Sequence, residues 1–92
     1  MQEVWPTEDI ARSFGRVLRA HRTAKLFSQE RLAHEAGIDR TYVGLLERGL
    51  RQPTIATLFQ LCAAMEVEPM NLIKETQDLL QQSQPPSGPM QV

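Results

Sequence analysis

The residue types that most often perform catalysis or hold metals are few in this chain, and their spacing suits neither task. Ser28, His34 and Asp39 supply the side chains of a hydrolytic triad, but no loop that would form an oxyanion hole accompanies them. Ser28 and Asp39 are better explained as N-caps, because each directly precedes a stretch of helical periodicity. His21, His34 and the single cysteine, Cys62, lack metal-ligand spacing. We therefore predict no enzyme, no metal site and no cofactor.

Arginine is the remaining residue type with binding chemistry, and it is unevenly distributed along the chain. Residues 12–51 contain nine basic and four acidic residues, whereas residues 52–92 contain one basic and four acidic residues. The net charge of −1 for the whole chain therefore conceals a basic central segment. Such a segment attracts a polyanion and orients its approach. A merely solvated, arginine-rich helix surface is the alternative that charge alone leaves open.

Apolar residues at helical spacing, together with cap residues, predict five helices and an all-α fold. Thr7 is the predicted N-cap of the first helix, and Thr54 is that of the fourth, whose apolar stripe begins at Ile55. The predicted helices span about 7–25, 29–36, 40–48, 54–66 and 69–80. We expect a compact domain over residues 7–80, an N-terminal extension over 1–6 and a disordered tail over 81–92 that is rich in Gln, Ser and Pro. No apolar run approaches the roughly 20 residues of a membrane span, so a cytoplasmic, nucleoid-associated location is expected.

The segment 28–49 predicts two short helices that cross at a tight turn. Gly37 allows the left-handed backbone that the turn needs, and the small side chain of Ala33 lets the two helices approach closely. Three apolar side chains would fill the angle between the helices: Ile38, Val43 and Leu46. Any helical hairpin with a close crossing would share these features, so this pattern favours a helix-turn-helix without excluding other hairpins.

The outer side of the second of these helices then carries Arg40, Thr41, Gly44 and Leu45. An arginine and a threonine near a helix N-terminus suit hydrogen bonding to base edges in the major groove of DNA. The small Gly44 would allow the DNA to come close. These residues therefore indicate DNA binding as the function.

The stretch from Phe14 to Ile73 resembles the Cro/CI-type helix-turn-helix regulators, the XRE family. The matching segments are FGRVLRAHR, FSQERLAHEAGI, LLERG, RQPTIATL and MEVEPMNLI. Within that family, DRTYVGLLERG is most similar to the controller proteins of restriction–modification systems, where an Asp-Arg-Thr-Tyr start to the recognition helix is common. The resemblance implies a lambda-repressor-like fold and a transcription regulator that binds double-stranded operator DNA.

The resemblance also implies roles for single residues in DNA binding. Gln29 would touch a phosphate and brace the recognition helix. Arg40 and Thr41 would read bases. Tyr42 and Arg51 would contact the DNA backbone or the adjacent groove.

Two positions depart from the common family pattern, and two others match a structural pair. Gly44 stands where serine is frequent, and Leu45 offers only apolar contact, for example to a thymine methyl group. Arg22 and Glu47 occupy positions where related repressors form an ion pair between the first helix and the end of the third. The departures at Gly44 and Leu45 therefore leave the operator sequence undetermined. The Arg22–Glu47 pair is expected to have a structural role.

The last predicted helix carries more apolar surface than so small a domain is expected to bury. We predict that this surface forms a homodimer interface, whose two-fold symmetry would match a two-fold-related operator. Its residues are Met70, Leu72, Ile73, Leu79 and Leu80. The alternative function is an antitoxin-like protein-interaction module that keeps the same fold. No small-molecule effector and no membrane partner are expected.

Overall fold

The computed structural model describes residues 5–83, and these residues form five α-helices and no strand. The helices are α1 (Thr7–Ala24), α2 (Gln29–Ala36), α3 (Arg40–Glu47), α4 (Ile55–Met65) and α5 (Pro69–Ser83). The predicted all-α, five-helix fold is confirmed. Within this part of the chain, no helix combines the length and apolar character needed to cross a membrane.

Three helices begin at the polar residues that the sequence predicts as caps. The side chains of Ser28, Asp39 and Thr54 each accept a hydrogen bond from a backbone amide in the first turn of the helix that follows. Each bond satisfies an amide that the helix itself leaves without a partner. Ser28 and Asp39 therefore act as caps, which explains their presence without any catalytic role.

The two ends of the helical domain differ from the prediction. Thr7 lies inside α1, and Pro6 takes the N-cap position with its carbonyl oxygen accepting from two backbone amides. A proline fits there because its fixed φ suits the start of a helix. At the other end α5 continues to Ser83, since glutamines 81 and 82 favour a helix and the first proline comes only at Pro85. The predicted tail from residue 84 and the extension before residue 5 lie outside the described residues.

The core lies where α1 packs against α3 and α5 while α2 packs against α3 and α4. Its fully buried side chains come from all five helices: Leu18, Leu32, Val43, Leu46, Leu61, Cys62, Met65 and Leu72. Burial of each large apolar side chain contributes roughly 1.5–3 kcal/mol. The core therefore holds the two helices of the predicted helix-turn-helix against α1 and α4.

Several apolar residues lie differently from the predicted arrangement. Leu72 and Leu80 are buried within the chain itself, so they offer almost no exposed surface to the predicted dimer interface. Both face inward because α5 packs along α1. Ile55 is 70% exposed rather than part of the α4 core stripe, which begins one turn later at Leu58.

α1 and α3 approach each other closely at Gly15. A Cβ atom at this position would lie 2.4 Å from the carbonyl oxygen of Leu46 and 2.6 Å from that of Glu47. Since real Cβ atoms do not come so near to backbone oxygens, only glycine fits here without a shift of one helix. Gly15 thereby sets how near the last turn of α3 lies to α1.

Candidate nucleic-acid interface

Residues 28–49 form a helix-turn-helix whose turn is held by short local contacts. Gly37 has φ of 73°, a left-handed conformation that few other residues adopt easily. The amide of Ile38 donates to the carbonyl oxygen of Ala33 over 2.9 Å, which closes the turn. Val43 and Leu46 of α3 are buried on the inner side of this helix. The opposite side of α3 is consequently presented outward.

The outward side of α3 carries the side chains predicted to read DNA. Arg40 and Thr41 are exposed, and Gly44 and Leu45 are half-buried. The Arg40 side chain is 66% exposed, and its Nε lies 3.9 Å from Oε2 of Glu30 in the first turn of α2. Such an exposed ion pair contributes little energy. The guanidinium of Arg40 therefore remains able to donate to a partner outside the chain.

A buried ion pair fixes α3 from behind. Arg22 donates from Nε to Oε2 of Glu47 over 2.6 Å and from Nη2 to Oε1 over 3.0 Å. A third donor of Arg22, Nη1, reaches the carbonyl oxygen of Phe27 over 2.8 Å. The side chains of Arg22 and Glu47 are only 11% and 3% exposed. The structure thus brings together the two residues of the predicted structural pair.

Gln29 joins the same network from the start of α2. Its Nε2 donates to Oε1 of Glu47 over 3.0 Å, and its Oε1 lies next to Gly44. A glutamine amide has two donor hydrogens, so one is used inside the protein. The carboxylate of Glu47 therefore connects α1, α2 and α3 at one point.

Tyr42 lies in α3, and Arg51 lies in the connection between α3 and α4. The hydroxyl of Tyr42 donates to the backbone carbonyl oxygen of Gln52 over 3.1 Å, while its ring packs partly buried against the core. Arg51 is exposed in the connecting loop. The tyrosine hydroxyl, which resemblance assigns to DNA contact, is thus hydrogen-bonded within the chain.

Sequence reasoning missed three contributors to this surface. Gly15 allows α3 to pack closely against α1. A glycine in the middle of a predicted helix could have indicated this close packing. Glu30 lies beside Arg40, and Gln52 accepts the Tyr42 hydroxyl bond. These two contacts join residues of different elements, so no local pattern in the sequence predicts them.

The other residues with possible chemistry have structural surroundings. Cys62 is buried, and desolvation together with the nearby charge of Glu68 raises the pKa of its thiol. His21 on α1 is hydrogen-bonded to Glu75 on α5, with 2.8 Å between Nε2 and Oε1. Among residues 5–83, no three His, Cys, Asp or Glu side chains are grouped to hold a metal ion. The outer side of α3 and the loop that follows it remain the candidate functional surface.

Comparison with known proteins places this arrangement in a family. The profile of the helix-turn-helix family HTH_3 matches residues 18–71. The control protein C.BamHI of Bacillus amyloliquefaciens is 35% identical over 71 residues, which cover 76% of this chain and 88% of that protein. The crystal structure of the restriction–modification controller protein C.AhdI from Aeromonas hydrophila shares 45% identity, with a TM-score of 0.66, over 67% of this chain and 94% of that chain. The wild-type controller C.Esp1396I is 28% identical, with a TM-score of 0.68, over 75% of this chain and 88% of its own. This chain therefore belongs to the helix-turn-helix family of transcription regulators, and over most of its length it is similar to restriction–modification controller proteins.

Proposed function

We propose that this protein regulates transcription by binding a two-fold-related operator in double-stranded DNA as a homodimer. The observation that carries the proposal is the exposed start of α3, with Arg40 and Thr41 outward and Glu47 held from behind by Arg22. A recognition helix must be presented rigidly if its side chains are to distinguish bases. The inner side of α3 is held in place, and its outer side carries hydrogen-bond donors on Arg40 and Thr41.

In the proposed complex the N-terminal part of α3 lies in the major groove. Arg40 donates two hydrogen bonds to O6 and N7 of a guanine, the commonest specific contact of an arginine. Leu45 offers apolar contact to a thymine methyl group, and Gly44 leaves room for the approach of the DNA. Base recognition thus depends on Arg40 and on Thr41, supported by shape and apolar contact.

Contacts to the DNA backbone flank the recognition helix on both sides. Gln29 would donate its second amide hydrogen to a phosphate from the start of α2, since the first is used by Glu47. Arg51 would meet a phosphate from the loop after α3. Such contacts set the register of a protein on DNA without distinguishing sequence. The proposed partner also implies action at the nucleoid, in the cytoplasm.

The proposed dimer uses the apolar surface that the fold leaves uncovered on α4 and α5. Ile55 and Phe59 are exposed one turn apart on α4, and Met70 and Ile73 are exposed on α5 at 76% and 52%. Ile55 and Ile73 both line one largely apolar groove, of about 420 Å³, between α1, α4 and α5. An exposed apolar groove of this kind is typical of an interface. A second copy related by a two-fold axis would cover it and present two recognition helices about 34 Å apart.

Binding to a random pool of DNA duplexes tests this function without knowledge of the operator. Repeated selection with the purified protein is expected to enrich a two-fold-related sequence with two half-sites about one helical turn apart. A pool that stays random, with no salt-dependent retention of DNA, would contradict the proposal. The antitoxin-like alternative has no support among the relatives described above and is not proposed.

Arg40→Ala is expected to reduce discrimination at one base pair per half-site, by about 1–3 kcal/mol. The loss arises because alanine makes no hydrogen bonds to guanine, while the phosphate contacts remain. Mobility shifts on the selected operator and on random duplex measure it. Arg16→Ala is the matched control, because Arg16 is an exposed arginine on α1 and not on α3, and it lines a groove with Glu75 and Asp78 of α5. Equal losses on both DNAs for Arg40→Ala would show that Arg40 contacts phosphate instead of a base.

Ile73→Asp is expected to convert the dimer into a folded monomer that binds the operator much more weakly. A carboxylate at the centre of an apolar interface would have to be desolvated without a partner. Sedimentation at micromolar concentration measures association, and circular dichroism checks the fold. Leu26→Asp is the control, because Leu26 is an equally apolar exposed residue in the α1–α2 connection. A dimer that survives Ile73→Asp would place the interface elsewhere.

A further inference from the structure

The loop between α3 and α4 is anchored firmly at its two ends. Gly49 has φ of 75° and lies directly against the backbone of Arg12, and the amide of Leu50 donates to the carbonyl oxygen of Leu45 over 2.9 Å. At the other end Thr54 caps α4. The segment 51–53 between these anchors carries Arg51, the residue that the proposed function assigns to a phosphate.

One side chain from outside the loop holds the middle of this segment. The Tyr42 hydroxyl donates to the carbonyl oxygen of Gln52, and the partly buried tyrosine ring packs against the core. Pro53 already restricts Gln52 to extended backbone conformations. The hydrogen bond therefore selects one position for a segment whose conformational range is already narrow.

The chemistry of the phenol makes this bond exclusive. A tyrosine hydroxyl has a single hydrogen to donate, and its remaining lone pairs can only accept. A phosphate oxygen is also an acceptor. While Tyr42 holds Gln52, its hydroxyl cannot donate to DNA, so the bond seen here and a direct phosphate contact exclude each other.

We propose that Tyr42 is a positioning residue that acts on DNA binding through the loop, by holding Arg51 where it meets the DNA backbone. This inference rests on the proposed function and adds a division of labour within the Arg-Thr-Tyr start of α3. Arg40 and Thr41 face the bases, whereas Tyr42 points its hydroxyl back to the loop. The tyrosine contributes to affinity for every DNA sequence and does not distinguish between sequences.

A double-mutant cycle between Tyr42→Phe and Arg51→Ala tests the proposal on the full-length protein. Tyr42→Phe removes only the hydroxyl and is expected to weaken operator and random duplex by the same factor, about 3- to 10-fold per subunit. The slope of log K against log salt is also expected to become shallower in Tyr42→Phe. The change should equal that caused by the loss of one phosphate contact per subunit. In the double variant the loss should be no larger than that of Arg51→Ala alone, because the two residues act in one contact.

The control cycle pairs Tyr42→Phe with Arg40→Ala, whose losses are expected to add. Hydrogen exchange at the amides of Arg51 and Gln52 supplies a second measurement on the free protein, and it should quicken in Tyr42→Phe while the helices stay protected. Additive losses with Arg51→Ala, or a loss confined to one base pair of the operator, would overturn the inference and make the hydroxyl a direct DNA contact. Unchanged exchange in the loop would overturn it as well. Failure of the wild-type protein to bind DNA would instead overturn the proposed function.

Discussion

Replacement of Glu47 by glutamine is expected to lower the free energy of unfolding by about 3 kcal/mol and to weaken DNA binding in parallel. The glutamine keeps the shape of Glu47 but not its charge, so Arg22, whose side chain is 11% exposed, loses its counter-charge. Removal of one partner from a buried pair is costly because the other charge stays buried without compensation. Thermal unfolding and operator mobility shifts, measured on the same preparation, check the two effects.

The effect on DNA binding follows from the position of the pair. Glu47 is the last residue of α3 and also accepts the hydrogen bond of Gln29, the first residue of α2. Loss of its charge therefore loosens the recognition helix and a proposed phosphate contact together. Glu66→Gln is the matched control, because the Lys25–Glu66 pair is exposed and such pairs contribute little. Unchanged melting in both Glu47→Gln and Arg22→Ala would show that the pair carries no stability.

Substitution of alanine at Gly15 and at Gly44 is expected to change stability in opposite directions. At Gly15 the new Cβ would overlap the carbonyl oxygens of Leu46 and Glu47. Overpacking of this kind costs typically 1–3 kcal/mol, and more is expected here because the obstacle is backbone. At Gly44 the nearest atoms to a new Cβ are side-chain atoms at 3.7 Å and beyond. Since alanine favours a helix over glycine by roughly 1 kcal/mol, Gly44→Ala should stabilise the protein.

Denaturant unfolding of the two variants and of the wild-type protein measures the difference in their free energies of unfolding. Both positions are glycines within helices, so helix propensity alone predicts the same stabilising sign for both. A stabilised Gly15→Ala protein would show that α1 and α3 can move apart at little cost. A destabilised Gly44→Ala protein would show that the neighbouring side chains leave no room for a methyl group at this position.

Most local features of this fold were available in the sequence, although the N-cap of α1 is Pro6 and not the predicted Thr7. Ser28, Asp39 and Thr54 cap helices because a short polar side chain reaches amides only two or three residues away. Gly37 turns the chain because of its own backbone freedom. Five helices follow from apolar periodicity, and the spacing of these signals favours a helix-turn-helix, which family resemblance then singles out among helical hairpins. Each of these features depends on neighbours in the chain, so the sequence alone determines it.

Contacts between distant residues were only partly predictable. The Arg22–Glu47 pair was expected from family resemblance, which carries information about spatial neighbours that periodicity lacks. The hydrogen bond from Tyr42 to Gln52 was not expected, because neither residue type indicates a partner ten positions away. The outward position of Arg40 and Thr41 on α3 was predicted, but the contacts that Glu30 and Gln52 make beside them were not.

Tertiary packing alone decided which apolar residues of α5 serve the core and which remain on the surface. Leu72 and Ile73 are adjacent in sequence and equally apolar, yet Leu72 is fully buried and Ile73 is half exposed. The hydrophobic effect rewards burial of either side chain and does not specify the partner. The face of α5 that meets the core is set by how α5 lies against α1 and α4. The close approach of α1 and α3 at Gly15 is likewise set by tertiary packing. Packing depends on all five helices at once and not on neighbours in the chain.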